Sequence, residues 1–314
     1  MKSCSVWETT GLNGRRGVTC LISKLKPLSS VVSDPFPCTP IDDLPPLRQV
    51  IADYGLQATK ALGQNFLLDM NITDKIARLA GDLSAYTVVE IGPGPGGLTR
   101  SLLKAGAAHV LAIEFDPRAV AALMPLVEAS SGRLTVLQAD ALSVDIASLA
   151  PEGPRMIIAN LPYNIATPLV IGWLKQIRQD PAFASRMLLM FQREVADRLT
   201  SPVGGKTYGR LAVMAQWLCE VKRVYDLPAS AFTPPPKVAS SVVSFKPQKL
   251  PDCSPMASSV ETVTAAAFGQ RRKMLRSSLG GYAALLERAG IAGDLRAEHV
   301  PVADFIRLAQ ALEA

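Results

Sequence analysis

Residues 87–97 read Thr-Val-Val-Glu-Ile-Gly-Pro-Gly-Pro-Gly-Gly, a short apolar run that passes directly into a glycine-rich turn. β-Branched residues favour a strand, and the glycines allow a sharp turn and a close backbone approach. The next residues, 98–104, have helical spacing and end before Gly106. Strand, glycine turn and helix in this order indicate the first unit of an open α/β sheet, with a ligand site at the turn.

The same alternation continues along the chain. Further strands are predicted at residues 109–115, 134–137, 156–159 and 187–191. Helices are predicted between them, two of which start at a cap followed by proline, Asp116–Pro117 and Thr167–Pro168. Near-continuous apolar strands that alternate with helices predict a parallel sheet covered on both faces.

The chain is predicted to have three parts. Residues 1–45 form a leader that ends in a cluster of prolines, with no helical or strand period. Residues 46–250 contain the α/β sheet, including two late strands at 221–226 and 240–245 on either side of the proline loop 232–237. Residues 251–314 are predicted to be a small domain made only of helices.

The composition excludes several classes of protein. The chain has 314 residues, of which 48% are apolar and 19% charged, so it can bury a large core and is not a disordered chain. No run approaches the ~18 apolar residues of a membrane-spanning helix, which predicts a soluble cytoplasmic protein without a membrane. Five scattered cysteines and two distant histidines argue against a disulfide framework, a metal site or a Ser-His-Asp hydrolase.

The leader has two interpretations besides simple disorder. Its basic residues and many Ser and Thr resemble a transit peptide, although no apolar face of a targeting helix is evident. The other alternative is that the protein begins at a later residue and that its first residue has been assigned too early.

The glycine turn matches two cofactor classes. Gly92, Gly94 and Gly97 satisfy the G-x-G-x-x-G pattern, and Glu114 ends the next predicted strand, as in an NAD site. However, Pro93 and Pro95 remove two of the N–H donors that such a turn uses to hold pyrophosphate.

S-Adenosylmethionine has no phosphate, so the prolines favour it over NAD, with a purely structural turn as the third alternative. In either cofactor class, the Glu114 carboxylate suits ribose hydroxyls. Asp140 ends the third predicted strand, where its carboxylate could accept from an adenine amine or merely cap the next turn.

Residues 160–163, Asn-Leu-Pro-Tyr, follow the fourth predicted strand and indicate the reaction. The amino nitrogen of adenine is a poor nucleophile because its lone pair is delocalised into the ring. The Asn160 oxygen and the Leu161 carbonyl could accept both N6 hydrogens and free that lone pair. Pro162 would stiffen the turn, and Tyr163 would stack on a base that has left its helix. A simple strand-end turn is the alternative.

Several ordered motifs resemble the ribosomal RNA adenine dimethylase family, in particular its bacterial small-subunit branch. They cover about residues 47 to 314 and comprise residues 63–67, 92–97, 160–163, 208–211, 232–238 and 268–273. The resemblance implies the Rossmann-like sheet of class I S-adenosylmethionine-dependent methyltransferases. It also implies that two adjacent adenines near the 3′ end of 16S rRNA each receive two methyl groups, in the small ribosomal subunit or its precursor.

The resemblance also assigns roles to single residues. The implied cofactor positions, together with the glycine turn, are Asn65, Leu67, Gly92, Gly94, Glu114, Asp140 and Asn160. The implied catalytic and adenine-contacting positions are Asn160, Leu161, Pro162, Tyr163 and Phe232. Phe232 is also compatible with simple core packing.

A basic segment follows in the predicted helical domain. Residues 270–276 carry four cations without an acid: Arg271, Arg272, Lys273 and Arg276. We predict one helix here, with Phe268, Leu275 and Leu279 buried and the cations facing RNA phosphates. A solvated surface is the alternative.

Other functions compatible with these motifs are a large-subunit methylase of the macrolide-resistance type, a non-catalytic RNA-binding assembly factor and an NAD oxidoreductase. Nothing in the sequence indicates an obligate dimer, so a monomer is predicted.

Overall fold

A seven-stranded mixed sheet lies at the centre of the protein. It is seen in a computed structural model that describes residues 40–56, 64–150, 153–270 and 272–314. The described strands are β1 (Phe66–Leu67), β2 (Thr87–Ile91), β3 (His109–Glu114), β4 (Leu134–Gln138), β5 (Arg155–Asn160), β6 (Arg186–Gln192), β7 (Cys219–Leu227), β8 (Phe232–Thr233) and β9 (Ser240–Pro247).

The helices alternate with these strands and then continue alone to the end of the chain. They are α1 (Leu47–Asp53), α2 (Met70–Ala80), α3 (Gly97–Lys104), α4 (Pro117–Ala129), α5 (Ile146–Leu149), α6 (Ala166–Gln179), α7 (Arg193–Thr200), α8 (Arg210–Leu218), α9 (Ala257–Gly269), α10 (Leu275–Ser278), α11 (Ala283–Ala289) and α12 (Val302–Glu313).

The strand order in the sheet is β4-β3-β2-β5-β6-β9-β7. The first five strands are parallel, as predicted, whereas β9 is antiparallel to both β6 and β7. A separate antiparallel pair joins β1 to β8, two short strands that the sequence analysis did not predict. Because β2, β3 and β5 are parallel neighbours, the turns after them meet at one edge of the sheet.

Alternate residues of the strands enter two different apolar layers. Val89, Leu111 and Ile157 face the layer that contains α6 and α8, whereas Val88, Val110 and Met156 face the layer of α2, α3 and α4. Both faces of the sheet are therefore covered, as the near-continuous apolar strands predicted.

Of the two predicted helix caps, one is formed and the other is not. Asp116 caps α4 through a 3.0 Å bond from the Arg118 N–H to its carboxylate, with Pro117 in the first turn. The prediction that Thr167 caps the next helix is wrong, because α6 already begins at Ala166 and has no side-chain cap. Pro168 is tolerated there because the first backbone N–H groups of a helix have no intrahelical acceptor.

The helices after residue 250 pack against the α/β part. Val260 of α9 and Phe305 of α12 share one buried cluster with Val213 and Trp217 of α8 and with Phe245 of the sheet. All the described residues belong to one compact unit. The boundary near residue 250 stays a prediction, and so does the leader, since residues 1–39 lie outside the described residues.

The prediction of one continuous basic helix is wrong. Helix α9 ends at Gly269 and α10 begins only at Leu275. The first residues of α10 bond to a later segment: Leu275 donates to the Leu295 carbonyl at 2.8 Å, and Arg276 donates to the Gly293 carbonyl at 2.9 Å. Leu275 and Leu279 are nevertheless buried as predicted.

Candidate active site

An open cavity lies at the carboxyl ends of the parallel strands. Open α/β sheets bind their ligands at this edge. Ten of the residues predicted for the site line this cavity: Asn65, Leu67, Gly92, Gly94, Glu114, Asp140, Asn160, Leu161, Pro162 and Tyr163. The structure thus brings together residues that are up to about a hundred positions apart in the chain.

The glycine turn requires glycine at the positions where it passes β1. Gly94 has φ +54°, and a Cβ built on it would lie 2.8 Å from Cε1 of Phe66. A Cβ on Gly97 would lie 2.8 Å from the Leu67 carbonyl oxygen. The turn therefore packs directly on β1, and side chains here would force the two apart.

Glu114 holds the turn from the end of β3. Its carboxylate accepts from the backbone N–H groups of Gly94 at 3.1 Å, Phe115 at 2.8 Å and Asp116 at 2.9 Å. Burial raises the pKa of Glu114, and these three donors oppose that rise. A carboxylate has about four acceptor sites, so Glu114 can still accept from a ligand hydroxyl.

Asp140 is exposed at the rim of the cavity. Its Oδ1 accepts from the Leu142 N–H at 3.0 Å, which caps the turn after β4. The structural role that strand-ending aspartates often have is therefore present here. Its position on the cavity wall is also compatible with the predicted contact to adenine.

Asn160 is fixed by a partner from a distant part of the chain. Its Nδ2 donates to the backbone carbonyl of Asn65 at 2.9 Å. A carbonyl can only accept, so the amide must present its nitrogen to Asn65. The Asn160 oxygen is consequently the atom left to accept a hydrogen from another group.

Tyr163 stands two residues beyond Leu161 on the same loop. Its hydroxyl lies 2.6 Å from Oγ of Ser240, the first residue of β9. Burial raises the pKa of Tyr163, so the phenol keeps its proton at neutral pH. The ring also lines the cavity, while Leu161 is buried beside it.

Phe232 does not line the cavity, and its contact with the substrate base stays a prediction. Only 2% of Phe232 is exposed, and its ring belongs to the apolar layer that includes Leu67. The backbone of β8 pairs Phe232 with Leu67 of β1. Its observed role is to support β1 from behind.

Glu90 is a cavity residue that the sequence analysis did not select. Only 2% of it is exposed, and its Oε2 has no hydrogen-bond partner among the described residues. Burial raises its pKa to about 8, the Glu114 charge adds to the rise, and the Thr99 hydroxyl opposes it. The signal in the sequence was a single acid inside an otherwise apolar strand.

The predicted RNA-binding cations lie outside the cavity. Arg272, Lys273 and Arg276 are exposed around the start of α10, and Arg271 lies outside the described residues. Met274 forms an isolated antiparallel bridge with Arg296, which adds a further cation beside this segment.

No described helix is long and apolar enough to cross a membrane. Within the same residues, no group of three or more His, Cys, Asp or Glu side chains could hold a metal ion.

Known proteins are similar to this chain over nearly all of its described residues. A family profile described as "Ribosomal RNA adenine dimethylase" matches residues 55–314. Ribosomal RNA small subunit methyltransferase A of Paramagnetospirillum magneticum is 56% identical over 275 residues, 87% of this chain and 96% of that protein. The protein of the same name from Rhodospirillum rubrum is 53% identical over 289 residues, 90% of this chain and 99% of that protein.

Two crystal structures share the fold. A dimethyladenosine transferase from Plasmodium falciparum has a TM-score of 0.66 and 27% identity, covering 76% of this chain and 94% of its own. The 23S rRNA methyltransferase ErmE has a TM-score of 0.60 and 26% identity, covering 80% of this chain and all of its own.

Proposed function

The chain belongs to the ribosomal RNA adenine dimethylase family, and on this premise we propose that it dimethylates N6 of two adjacent adenines near the 3′ end of 16S rRNA. It is a class I S-adenosylmethionine-dependent methyltransferase, so the cofactor and fold class predicted from the sequence are confirmed. The finer assignments below, of residues, partner state and location, are part of the proposal.

The residues of the cavity fit this cofactor better than a dinucleotide. Two buried carboxyl groups, Glu90 and Glu114, line the wall, and Oε2 of Glu90 has no hydrogen-bond partner within the part of the chain that the structure describes. A nearby cation favours the ionised form of such carboxyl groups and a nearby pyrophosphate disfavours it, so this wall suits a cation. Pro93 and Pro95 supply no N–H for phosphate, whereas the glycines beside them leave room for a close ligand.

We assign the cofactor's parts to the strand ends. Glu114 would accept from ribose hydroxyls, and Asp140 from the adenine amine. Asn65, Leu67, Gly92, Gly94 and Asn160 would border the amino-acid part, with Glu90 available to its ammonium group. When bound, S-adenosylmethionine supplies an electrophilic methyl group on a positive sulfur.

The substrate amine would be prepared by Asn160 and Leu161. The oriented Asn160 oxygen and the Leu161 carbonyl would each accept one N6 hydrogen and favour a tetrahedral nitrogen. When bound, the cofactor would supply a methyl group to the N6 lone pair freed in this way, and the extra proton on N6 would pass to water. Tyr163 would hold the extruded base by stacking, so that positioning and electrostatics supply most of the rate.

The orientation of Asn160 carries this proposal. Its amide nitrogen is occupied by the Asn65 carbonyl, within the cavity that Gly92 and Glu114 also line. The amide oxygen, the remaining polar atom of this lining side chain, is therefore proposed to be the acceptor for the substrate amine.

The partner is proposed to be 16S rRNA in the small subunit or its precursor, which the names of the relatives support. Arg271, Arg272, Lys273 and Arg276 are proposed to contact its phosphates. A monomer that acts in the cytoplasm is also part of the proposal.

The test is transfer of a tritiated methyl group to under-methylated small subunits, followed by mapping of the labelled base. We expect label in two adjacent adenines near the 3′ end of 16S rRNA. Fully methylated subunits should take up no label, and Asn160→Ala should abolish transfer while the chain remains folded.

The main competitor is methylation of the large subunit, because the 23S rRNA methyltransferase ErmE shares the fold. The basic segment at residues 270–273 favours the small subunit. Label that is found only in large-subunit RNA would overturn the proposed function, and normal transfer by Asn160→Ala would overturn the proposed mechanism.

A further inference from the structure

The hydroxyl of Ser240 contacts the active-site loop from the same edge of the sheet, two strands away from β5. Its Oγ lies 2.6 Å from the hydroxyl of Tyr163, although the two residues are 77 positions apart. Ser240 has no exposed surface and does not line the cavity. It can therefore act on a ligand only through Tyr163.

Ser240 occupies one of the most firmly held positions in the sheet. Strand β9 lies between β6 and β7, and Ser240 is paired with Gln192 on one side and with Leu227 on the other. The preceding residue, Ala239, accepts a hydrogen bond from the Arg193 backbone at 2.9 Å. Since both neighbouring strands pair with this backbone, the Ser240 side chain is attached to a fixed part of the sheet.

Tyr163 lies in less regular surroundings. It follows Pro162 in the loop between β5 and α6 and is only half-buried. The loop closes through one turn bond, from the Ile165 N–H to the Pro162 carbonyl at 3.1 Å. A tyrosine ring on such a loop can change its side-chain rotamer, and a bond at the far end of the ring restricts that change.

We propose that Ser240 is a positioning residue, whose hydroxyl holds the Tyr163 ring in the orientation that an extruded adenine needs for stacking. The inference rests on the proposed function and deepens it. Loss of the tether would leave the ring in place to bind a base but would broaden its orientations. The chemical step suffers from this, because it depends on a narrow approach of N6 to the methyl group.

The experiment is a double-mutant cycle with Ser240→Ala and Tyr163→Phe, each of which removes one hydroxyl of the tether. Each single variant should lower kcat about three- to tenfold, as expected for one neutral hydrogen bond. The double variant should lose no more than either single variant, because both remove the same bond. The affinity for S-adenosylhomocysteine, measured by calorimetry, should not change.

Ser241→Ala is the matched control. Ser241 is the next residue of β9, is equally buried, and bonds to the Asp226 carboxylate at 2.6 Å rather than to the loop. This variant should keep the parental kcat. By contrast, Ser240→Ala should lower kcat and keep the parental KM. If Ser240 served folding alone, the variant would have a lower thermal stability without this selective loss of kcat.

A second readout follows the base itself. RNA with 2-aminopurine in place of the target adenine should become brighter when the base leaves its stack and should be quenched again on Tyr163. The tether variants should show weaker quenching at saturation, and Ser241→Ala should match the parent.

Parental kcat and parental quenching in Ser240→Ala, or losses that add fully in the double variant, would overturn this inference. If Ser240→Ala does not fold, Tyr163→Phe compared with the parent decides, since it removes the same bond from the loop side. Absence of any transfer by the unaltered chain would overturn the proposed function instead, so the two failures are distinguishable.

Discussion

At the scale of single residues, the contact of Asn160 with Asn65 determines which end of the Asn160 amide remains available to a ligand. An asparagine amide has a donor end and an acceptor end, and the Asn65 carbonyl can pair only with the donor. The bond to Asn65 therefore orients the Asn160 amide oxygen before any substrate is bound. The same bond anchors the 65–67 segment, which forms part of the proposed cofactor site.

Asn160→Asp should be nearly as inactive as Asn160→Ala, although aspartate keeps an acceptor. An ionised carboxylate cannot donate to the Asn65 carbonyl, so the two oxygens repel and the oriented arrangement is lost. We expect a fall of about 10² in kcat/KM, of the size found when one preorganised group is removed. Single-turnover methyl transfer measures it.

The same variant should also bind S-adenosylhomocysteine more weakly than the parent, because the 65–67 segment loses its anchor. Parental activity in Asn160→Asp would mean that the acceptor alone is sufficient and that the bond to Asn65 has no part in orienting it.

Sequence reasoning identified most of the proposed site because most of these residues follow predicted strands in motifs of uncommon composition. It also selected Phe232, which the structure places in the apolar layer, because an aromatic residue beside a proline loop is compatible with both a solvent-facing and a buried position. It passed over Glu90 because burial and the lack of a partner are tertiary properties. Ser240 carried no signal at all, since its importance lies in a contact across the sheet.

Glu90 has a measurable consequence for stability in the free protein. Its pKa is raised from 4.5 to about 8, chiefly by burial. Between these values the folded chain holds a proton that the unfolded chain has released. The free energy of unfolding therefore falls as the pH rises through this window, and the neutral acid is the form that the fold tolerates.

Glu90→Gln should remove this contribution to the pH dependence, because glutamine does not ionise. The parent should lose up to about 1.4 kcal/mol of stability per pH unit more than the variant between pH 5 and 8. Urea unfolding at several pH values measures the slopes. Glu128→Gln, an exposed position on α4, is the control and should keep the parental slope.

At the scale of elements, the basic segment at residues 270–276 shows that a pattern of charges does not determine the secondary structure that carries it. Four cations without an acid are visible in the sequence, but the predicted continuous helix is not formed. Gly269 is a poor helix residue, and the backbone of Leu275 and Arg276 finds carbonyl partners at Leu295 and Gly293. The exposed cations are thus displayed by a turn that is braced on a second segment.

Replacing Arg271 and Arg272 by glutamine should weaken RNA binding for all sequences and should flatten its dependence on salt. Each lost phosphate contact lowers the slope of log K against log salt by about one. Binding titrations at several salt concentrations measure the slope. Cofactor affinity should not change.

Arg48→Gln, which removes an exposed cation from α1, is the control for the loss of net charge alone and should retain the parental slope. Equal slopes for the parent and the Arg271/Arg272 variant would remove the proposed role of the segment in phosphate binding.

At the scale of the whole molecule, the last helices are joined to the α/β part by a chain of aromatic rings. Phe305 of α12 stacks on Phe268 of α9 at 5.5 Å between centroids, and Phe268 meets the edge of Tyr208 at 6.0 Å. The Tyr208 hydroxyl donates to the Val300 carbonyl at 3.0 Å. A shared core of this kind favours unfolding in one cooperative step.

Phe305→Ala should therefore destabilise the sheet as well as the last helices. Phe305 has no exposed surface, so its truncation should cost about 3–5 kcal/mol. Fluorescence of Trp173 and Trp217, in a Trp7→Phe background, reports the α/β part while circular dichroism reports all helices. Both transitions should move together.

The control for this truncation is Met124→Ala, at a position on α4 that is 41% exposed, which should change stability by less than about 0.5 kcal/mol. A fluorescence transition that stays at the parental denaturant concentration in Phe305→Ala would show that the two parts unfold independently.

The sequence by itself determined the alternation of strands and helices, the glycine turn and the residues that follow each parallel strand. These are local properties, because a strand's period, a cap or a glycine depends on its near neighbours. Only the tertiary structure decided the orientation of Asn160, the isolation of Glu90, the tether from Ser240 to Tyr163 and the turn of the basic segment. Each of these depends on a partner that is distant along the chain, and chain folding alone brings the two together.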